Sequence, residues 1–463
     1  MPDGYICYAP VMDNTYDLFV IGAGPGGYSA ALLAARKGMK VGIAESSCLG
    51  GTCMNTGCIP TKAYAESIHL YRQINQAKRF GIEASASSLE PGALKKRKNR
   101  IVKRLTMGIE QLLCSAGVDI YRHRAKLLED KRVLVDKKCI GASNILIATG
   151  SRPKIAPGFD RPGVMSSNDI FELEKTPESI GIIGAGVIGM EMAHIFDALG
   201  SRVSVFEAMD RILPMEDEMV SKELARIYRR VTFMAATRIH EIRSHETAGK
   251  NGFCIIGESR GNDIHEEVDA LLVSTGRVPS PPDGIDAAGI AVNASNAIEV
   301  NGLMQTSARG IYAVGDVTGG HMLAYTATRQ AEVVVNCLAG SQKQMDYRYI
   351  PSIIFTDPEI ASVGQAGTNS VSGTFDVSAL GRARTKGENH GFARIICDSS
   401  HKIQKVTLMC PNATELISLA CLALEKGMDI EEFLGPVFAH PTMAEMLKEA
   451  ADDVTGMSIH KPS

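Results

Sequence analysis

No stretch of this chain reaches the ~18 uninterrupted apolar residues that a membrane-spanning helix requires. The opening MPDGYICYAPV has neither the basic region nor the long apolar region of a secretory signal, and it is not Arg-rich like a transit peptide. Met12 begins a more natural opening, MDNTYDLFVIGAG, so residues 1–11 read as an appended, poorly ordered extension. A basic surplus is missing too. The net charge of −3 gives no global field for nucleic acid or a membrane surface. The most basic run, Lys95-Lys96-Arg97-Lys98, lies in a helical stretch and reads as a solvated helix face. A structural disulfide framework is also unlooked-for. The 11 cysteines are odd in number and scattered over a long chain without an export signal, which points to a reducing, cytoplasmic compartment. Against that background, one closely spaced cysteine pair in a glycine-rich segment stands out.

The length of 463 residues corresponds to roughly three domains of about 150 residues each. Hydrophobic content of 45% and charged content of 22% are ordinary for a globular protein. The first positive feature is an internal repeat. Residues 17–45 read DLFVIGAGPGGYSAALLAARKGMKVGIAE, and residues 179–207 read SIGIIGAGVIGMEMAHIFDALGSRVSVFE. Each is an apolar strand, a Gly-x-Gly-x-x-Gly turn, a helix, and a second apolar strand ending in Glu. The glycines are Gly22, Gly24 and Gly27 in one copy and Gly184, Gly186 and Gly189 in the other; Glu45 and Glu207 each lie 23 residues after the first glycine. The first glycine makes the tight turn, the second admits a pyrophosphate and the third lets helix pack on strand. The helix N-terminus supplies partial positive charge, and the acid accepts from a ribose diol. One such motif is weak evidence, but two in register are strong.

Three more apolar strands end at glycine: NILIATGSRP at Gly150, ALLVSTGRVP at Gly276, and GIYAVGD. They suggest that one dinucleotide domain is inserted into another. The expected fold is α/β, with two Rossmann-like dinucleotide-binding domains, for FAD and NAD, and a C-terminal α+β dimerisation domain. The expected segments are 1–152 for the first part of the FAD domain, 153–273 for the NAD domain, 274–345 for the second FAD part and 346–463 for the last domain. From Tyr347 onward the texture shifts to short alternating segments such as ARIICD and VTLMC, with helical stretches around 413–427 and 443–453.

The segment Gly50–Lys62 reads GGTCMNTGCIPTK. Cys53 and Cys58 are five residues apart, and in a regular helix their Cα atoms would be more than ~7 Å apart, too far for a disulfide. Gly57 and Pro60 allow an irregular turn that shortens the separation. The pair follows Glu45 closely, so it should sit beside whatever the first fold binds, and a nearby helix N-terminus would favour thiolate. Cys48 reads as a bystander.

GGTCMNTGCIPTK closely resembles the redox segment of the pyridine nucleotide-disulfide oxidoreductases, and within that family the dihydrolipoyl dehydrogenases most of all. Supporting matches are ATGSRP, STGR, YAVGDVTGGHMLAYTA, PSIIFTDPEIASVG, FAHPTMAEMLKEA and VKRLTMGIEQLL, so the likeness spans the chain from Met12 onward. The resemblance implies an FAD- and NAD-dependent enzyme and no metal. Cys53 would be the interchange thiol, and Cys58 would lie against the flavin as a charge-transfer thiolate. Lys62 would sit near the flavin N5, paired with Glu191. Asp316 would hold the ribitol chain, with Ala324 contacting near the flavin and Ala125 near the adenosine half. His440, followed by Glu445, would be the base, since a carboxylate can fix the ring and stabilise imidazolium while the thiolate acts as nucleophile. The bond before Pro441 would be cis. The resemblance also implies a homodimer in which one chain's His440 and Glu445 serve the partner's Cys53.

This sequence departs from the dihydrolipoyl dehydrogenase pattern at three places: Phe438 stands for the first His of His-Ala-His, Thr61 for a common Ser, and Tyr325 for a frequent His. The expected substrate is a dihydrolipoyl group on a carrier protein or a small dithiol or disulfide. The alternatives are an NAD(P)H-dependent reductase of another low-molecular-weight disulfide, and a non-catalytic flavoprotein component, against which the intact Cys-His-Glu set argues. No cysteine follows Cys421, so the C-terminal cysteine pairs of mercuric reductases and large thioredoxin reductases are absent.

Overall fold

The computed structural model describes residues 16–85, 88–247 and 250–461. The extension expected at 1–11 lies outside them. The first sheet is built on strand Tyr16–Ile21, which pairs in parallel with Val41–Ala44 on one side and Lys138–Ile147 on the other. Asp119–Tyr121 extends the sheet beyond Val41–Ala44, and Ile311–Ala313 pairs in parallel with the end of Lys138–Ile147. Strands Arg132–Val135 and Ala125–Leu127 add an antiparallel wing. The central strands are almost continuously buried because helices cover the parallel sheet, which is why their sequences read as apolar runs without alternation. Helix Pro25–Arg36 covers one face and packs on helix Ala324–Leu338, contributed from much later in the chain.

A second parallel sheet has the order Thr232–Met234, Arg202–Phe206, Ser179–Ile183, Ala270–Val273. A three-stranded antiparallel sheet, Thr237–Thr247, Lys250–Ser259 and Asn262–Val268, lies against it. The two passages between the nucleotide folds run side by side as an antiparallel pair, Ser151–Pro153 with Arg277–Pro279. The last region is a five-stranded antiparallel sheet of strands Ser352–Ile354, Ile360–Gly364, Ile403–Met409, Phe392–Cys397 and Val371–Asp376. Helices Ala413–Lys426 and Glu445–Val454 pack on it through a shared apolar core. The expected mixed α/β architecture, with two nucleotide folds and a final α+β unit, is the one observed.

The basic run is not simply a solvated face. Lys98 is 3% exposed, and its ammonium lies 2.7 Å from Glu172. Helix Pro91–Ser115 packs against helix Cys58–Asn75, and Lys98 is buried with its ionic end on Glu172.

Helix Cys58–Asn75 is also held at its far end. Arg72 approaches Asp357 at 3.1 Å and Asp197 at 3.6 Å, tying the first fold to both of the others. Beside them the Tyr228 hydroxyl meets His194 Nδ1 at 2.8 Å, and the Asp357 amide donates to that hydroxyl at 3.1 Å. Burial pushes His194 down to about 3, so the ring is neutral near pH 7. Removing Arg72 takes the guanidinium from Asp357 and one of two cations from Asp197, which Arg230 Nε still reaches at 3.0 Å. Arg72→Ala is therefore expected to lower the free energy of unfolding by about 2–3 kcal/mol, allowing for the partial exposure of the cluster. Guanidinium melts would read this; a change below about 0.5 kcal/mol, the size usual for an ordinary surface substitution, contradicts the interlock.

Candidate active site

The two glycine turns are built alike. A Cβ on Gly22 would stand 2.4 Å from the Ala148 carbonyl oxygen, and one on Gly27 would stand 1.9 Å from the Gly22 oxygen. The corresponding distances are 2.7 Å from Ser274 for Gly184 and 1.9 Å from the Gly184 oxygen for Gly189. These outer glycines answer to the protein's own backbone. The middle ones do not: a Cβ on Gly186 would meet nothing within 4 Å, and one on Gly24 only Gly51 Cα at 4.0 Å. Open space where each turn keeps a glycine fits a group that approaches the backbone closely, as a dinucleotide pyrophosphate does. Gly150 and Gly276, at the ends of the later strands, are likewise open on that side.

The acids repeat the symmetry. Glu45 accepts from the Ala23 amide at 2.8 Å and from the Ser47 amide at 2.8 Å. Glu207 accepts from the Ala185 amide at 2.7 Å and from the Met209 amide at 2.9 Å. Each carboxylate is thereby fixed at the mouth of its turn with lone pairs to spare for a diol.

The cysteine segment is fastened to the first turn. The Gly50 amide donates to the Ala23 carbonyl at 2.8 Å, and a Cβ on Gly51 would stand 2.7 Å from Gly24 Cα. A short helix, Gly51–Asn55, carries Cys53. The chain then breaks at Thr56-Gly57, and Cys58 opens the 18-residue helix Cys58–Asn75. This break brings the two sulfurs close enough to interact. The Cys53 thiol is pushed up, by donating to Cys58 and by burial. Cys58 is brought down to about 7, chiefly by accepting that bond and further by Lys62; burial and Glu191 act the other way. Its place at a helix N-terminus acts in the same direction as Lys62. Thr61 returns its hydroxyl to the Gly57 carbonyl at 2.8 Å, a bond a Ser could make equally. Cys48 is exposed.

Behind the sulfurs, Lys62 Nζ lies 3.0 Å from Glu191 Oε1, and the same oxygen accepts from the Phe355 amide at 3.0 Å. The Lys62 ammonium also stands over the Phe355 ring, 4.2 Å from its centroid. Sequence reasoning missed Phe355; the only signal was its place in the quoted PSIIFTDPEIASVG. Asp316, in the turn Gly315–Thr318, accepts from the Ser151 hydroxyl and has Arg277 Nε 3.9 Å away. Ser151 and Arg277 were also missed, although both directly follow the glycine strand ends. Ala324 opens helix Ala324–Leu338, and Ala125 begins a strand of the antiparallel wing. Tyr325 donates its hydroxyl to the Pro351 carbonyl, so it braces the start of the last region.

His440 Nδ1 lies 2.8 Å from Glu445 Oε1, and Glu445 Oε2 accepts from the Thr442 amide at 2.7 Å. Although burial pushes the Glu445 carboxyl upward, the His440 ring and the Thr442 amide outweigh it and hold it below the usual range. The peptide before Pro441 is cis, as expected. The His440 side chain is 77% exposed, and its one hydrogen-bond partner among the described residues is Glu445. The ring is thus oriented by its carboxylate and largely open to solvent.

A Cys58 near 7 should ionise well below an ordinary thiol at about 8.5. In the reduced protein, thiolate absorbance is expected to rise through a step centred near pH 7 that Cys58→Ser removes. A first step only above pH 8, or one that persists in Cys58→Ser, contradicts the assignment.

Comparison with known proteins agrees with this geometry. The family model for the pyridine nucleotide-disulphide oxidoreductases matches residues 16–331, and the model for the dimerisation domain of that family matches residues 350–451. The dihydrolipoyl dehydrogenase of Chlamydia muridarum is 35% identical over 469 aligned residues, covering 97% of this chain and 99% of that protein. The dihydrolipoyl dehydrogenase of Bacillus subtilis is 33% identical, covering 97% of this chain and all of the other (100%). Among solved structures, the HOCl-induced flavoprotein disulfide reductase RclA from Escherichia coli superposes with a TM-score of 0.84 at 28% identity, over 94% of this chain and 99% of that one. The two glycine cradles, the cysteine pair between them and these matches together establish that the chain belongs to the pyridine nucleotide-disulphide oxidoreductase family.

Proposed function

We propose that this member of the family oxidises the dithiol of a dihydrolipoyl group and passes the electrons to NAD, in the cytoplasm and as a homodimer. The observation that carries this reading is the pair of adjacent, interacting sulfurs, with Cys58 favoured as thiolate and Lys62–Glu191 beside them. Segments 1–152 and 274–345 would hold FAD, through Gly22, Gly24, Gly27, Glu45, Lys62, Ala125, Gly150, Asp316 and Ala324. Segment 153–273 would hold NAD through Gly184, Gly186, Gly189, Glu191 and Glu207, with Gly276 just beyond it. Segment 346–463 would pair the two chains. FAD, when bound, supplies the two-electron relay between the sulfur pair and the nicotinamide.

In the oxidised protein the Cys53–Cys58 bond is the electron acceptor. His440, its ring held by Glu445, takes the proton from a substrate thiol, and the resulting thiolate attacks Cys53 Sγ. A substrate–Cys53 disulfide forms and Cys58 leaves as thiolate, which its helix N-terminus and Lys62 stabilise. The second substrate thiol, its proton released to solvent, then attacks as thiolate the sulfur joined to Cys53 and closes the substrate disulfide. Cys53 leaves and takes up a proton from His440. The two electrons now reside in the dithiol pair.

The His440 ring is largely exposed on its own chain, which supports its serving a sulfur pair on a second copy. The last region also exposes apolar side chains a second copy would cover, among them Leu422, Val437, Met457 and Ile459. An isologous pairing would then build two equivalent sites at once. Under subunit exchange, a mixture of Cys53→Ser and His440→Ala chains should recover activity that neither has alone, because one of the two hybrid sites keeps both groups. Demonstrated exchange without recovery contradicts the shared site.

The substrate pair is tested by comparing dihydrolipoamide plus NAD with glutathione disulfide plus NADPH in steady state. The first should be the faster by at least about tenfold in kcat/KM, equivalent to about 1.4 kcal/mol of transition-state binding. Dominance of the second favours the alternative reductase. On the nucleotide side, the fixed Glu207 carboxylate suits a free 2′-hydroxyl and repels a 2′-phosphate. The residues just beyond it, Ala208 and Pro214, offer no cation, and Arg211 is spent on the Leu213, Pro214 and Glu216 carbonyls and the Ser221 hydroxyl. NADH should therefore be preferred to NADPH; equal efficiency contradicts this.

A further inference from the structure

Residues 351–357, at the start of the last region, are tied to both nucleotide folds. The Tyr325 hydroxyl donates to the Pro351 carbonyl, and the Ser352 hydroxyl donates to Glu216 at 2.7 Å. The Phe355 amide donates to Glu191 at 3.0 Å, and Asp357 takes Arg72 at 3.1 Å. These bonds fix the course of the segment, but a backbone donor at position 355 asks for no particular side chain. The ring at that position makes a contact of its own, with the Lys62 ammonium 4.2 Å from its centroid.

Lys62 lies four residues after Cys58 in the redox helix, so the two side chains share one helix face. Its ammonium reaches both Glu191 oxygens, at 3.0 and 3.3 Å. The Lys62 side chain is nevertheless 29% exposed, so water competes for the cation on its open side. The two groups that hold Lys62 differ in what they do to the sulfur. Lys62 favours the Cys58 thiolate, and the Glu191 charge opposes it. A second carboxylate would hold the ammonium at further cost to the thiolate. An aromatic face attracts the cation through its quadrupole and adds no net charge. Phe355 therefore steadies Lys62 without working against Cys58.

We propose that Phe355 is a positioning residue of the sulfur pair, its ring keeping the Lys62 ammonium beside Cys58. The match to the dimerisation domain begins at residue 350, so Phe355 belongs to the region that would pair the chains. That region then serves two redox centres, its own through Phe355 and the partner's through His440. The proposal rests on the reading of Cys58 as the thiolate of the pair.

The test follows thiolate absorbance against pH in the reduced, flavin-loaded protein. Phe355→Leu keeps an apolar side chain and the backbone amide on Glu191 and removes only the π face. It should move the Cys58 step to higher pH by about half a pH unit, and Phe355→Tyr, which keeps the face, should leave the step in place. In Lys62→Met the step should already be raised, and adding Phe355→Leu to that variant should move it no further, because the ring acts through the ammonium. An unmoved step in Phe355→Leu overturns the proposal and leaves the reading of Cys58 intact. An equal displacement with and without Lys62 makes the ring a packing element and also overturns it. If the wild type shows no step that Cys58→Ser removes, the reading of Cys58 fails and the proposal falls with it. Should Phe355→Leu not yield folded protein, Phe355→Met, which also lacks a π face, is read in its place with the same outcomes.

Discussion

Everything in this molecule converges on the Lys62–Glu191 ion pair. Lys62 lies one turn into the redox helix, Glu191 lies in the helix after the second glycine turn, and the Phe355 amide closes the pair from the last region. The Glu191 side chain is only 6% exposed, so the pair carries a desolvation cost that an apolar substitute would avoid. Its return is positional and electrostatic. It places a cation beside the sulfurs, fixes that cation from two other parts of the chain, and helps Cys58 hold charge that burial disfavours. Further along the same redox helix, Arg72 repeats the connection with Asp197 and Asp357. One helix is thus pinned twice, with the cysteine pair at its N-terminal end.

The second organising feature is duplication. Two strand–turn–helix–strand units use the same three glycines and the same carboxylate, fixed by the same two backbone donors. What differs is the neighbourhood: the first turn is packed against Gly50 and Gly51 of the cysteine segment, and no cysteine-bearing segment lies against the second among the described residues. A redox relay needs this asymmetry, with one nucleotide site beside the sulfurs and another within reach of the first.

The repeat and the cysteine segment were legible in the sequence because their geometry is local. A glycine that the Ala148 or Ser274 carbonyl excludes from carrying a Cβ lies in a motif of fixed spacing, and the kink at Gly57 is announced by the residues around it. Long-range partners were not legible. Phe355 joins Glu191 across 164 positions, and nothing in its own surroundings announces that contact. The burial of Lys98 depended on where Glu172 comes to rest. Arg97 of the same basic run donates to the Ala63 carbonyl of the neighbouring helix, and no charge pattern announces that contact until the two helices are in place.

The chemistry attributed to the sulfurs has one direct readout: differential alkylation followed by peptide mass mapping, on the air-oxidised flavin-loaded protein before and after NADH without any disulfide substrate. The account predicts that Cys53 and Cys58 are joined to each other before NADH, and that NADH opens that bond while leaving the other cysteines as thiols throughout. A pair that is already reduced in the oxidised protein, or a bond that NADH leaves intact, would contradict it.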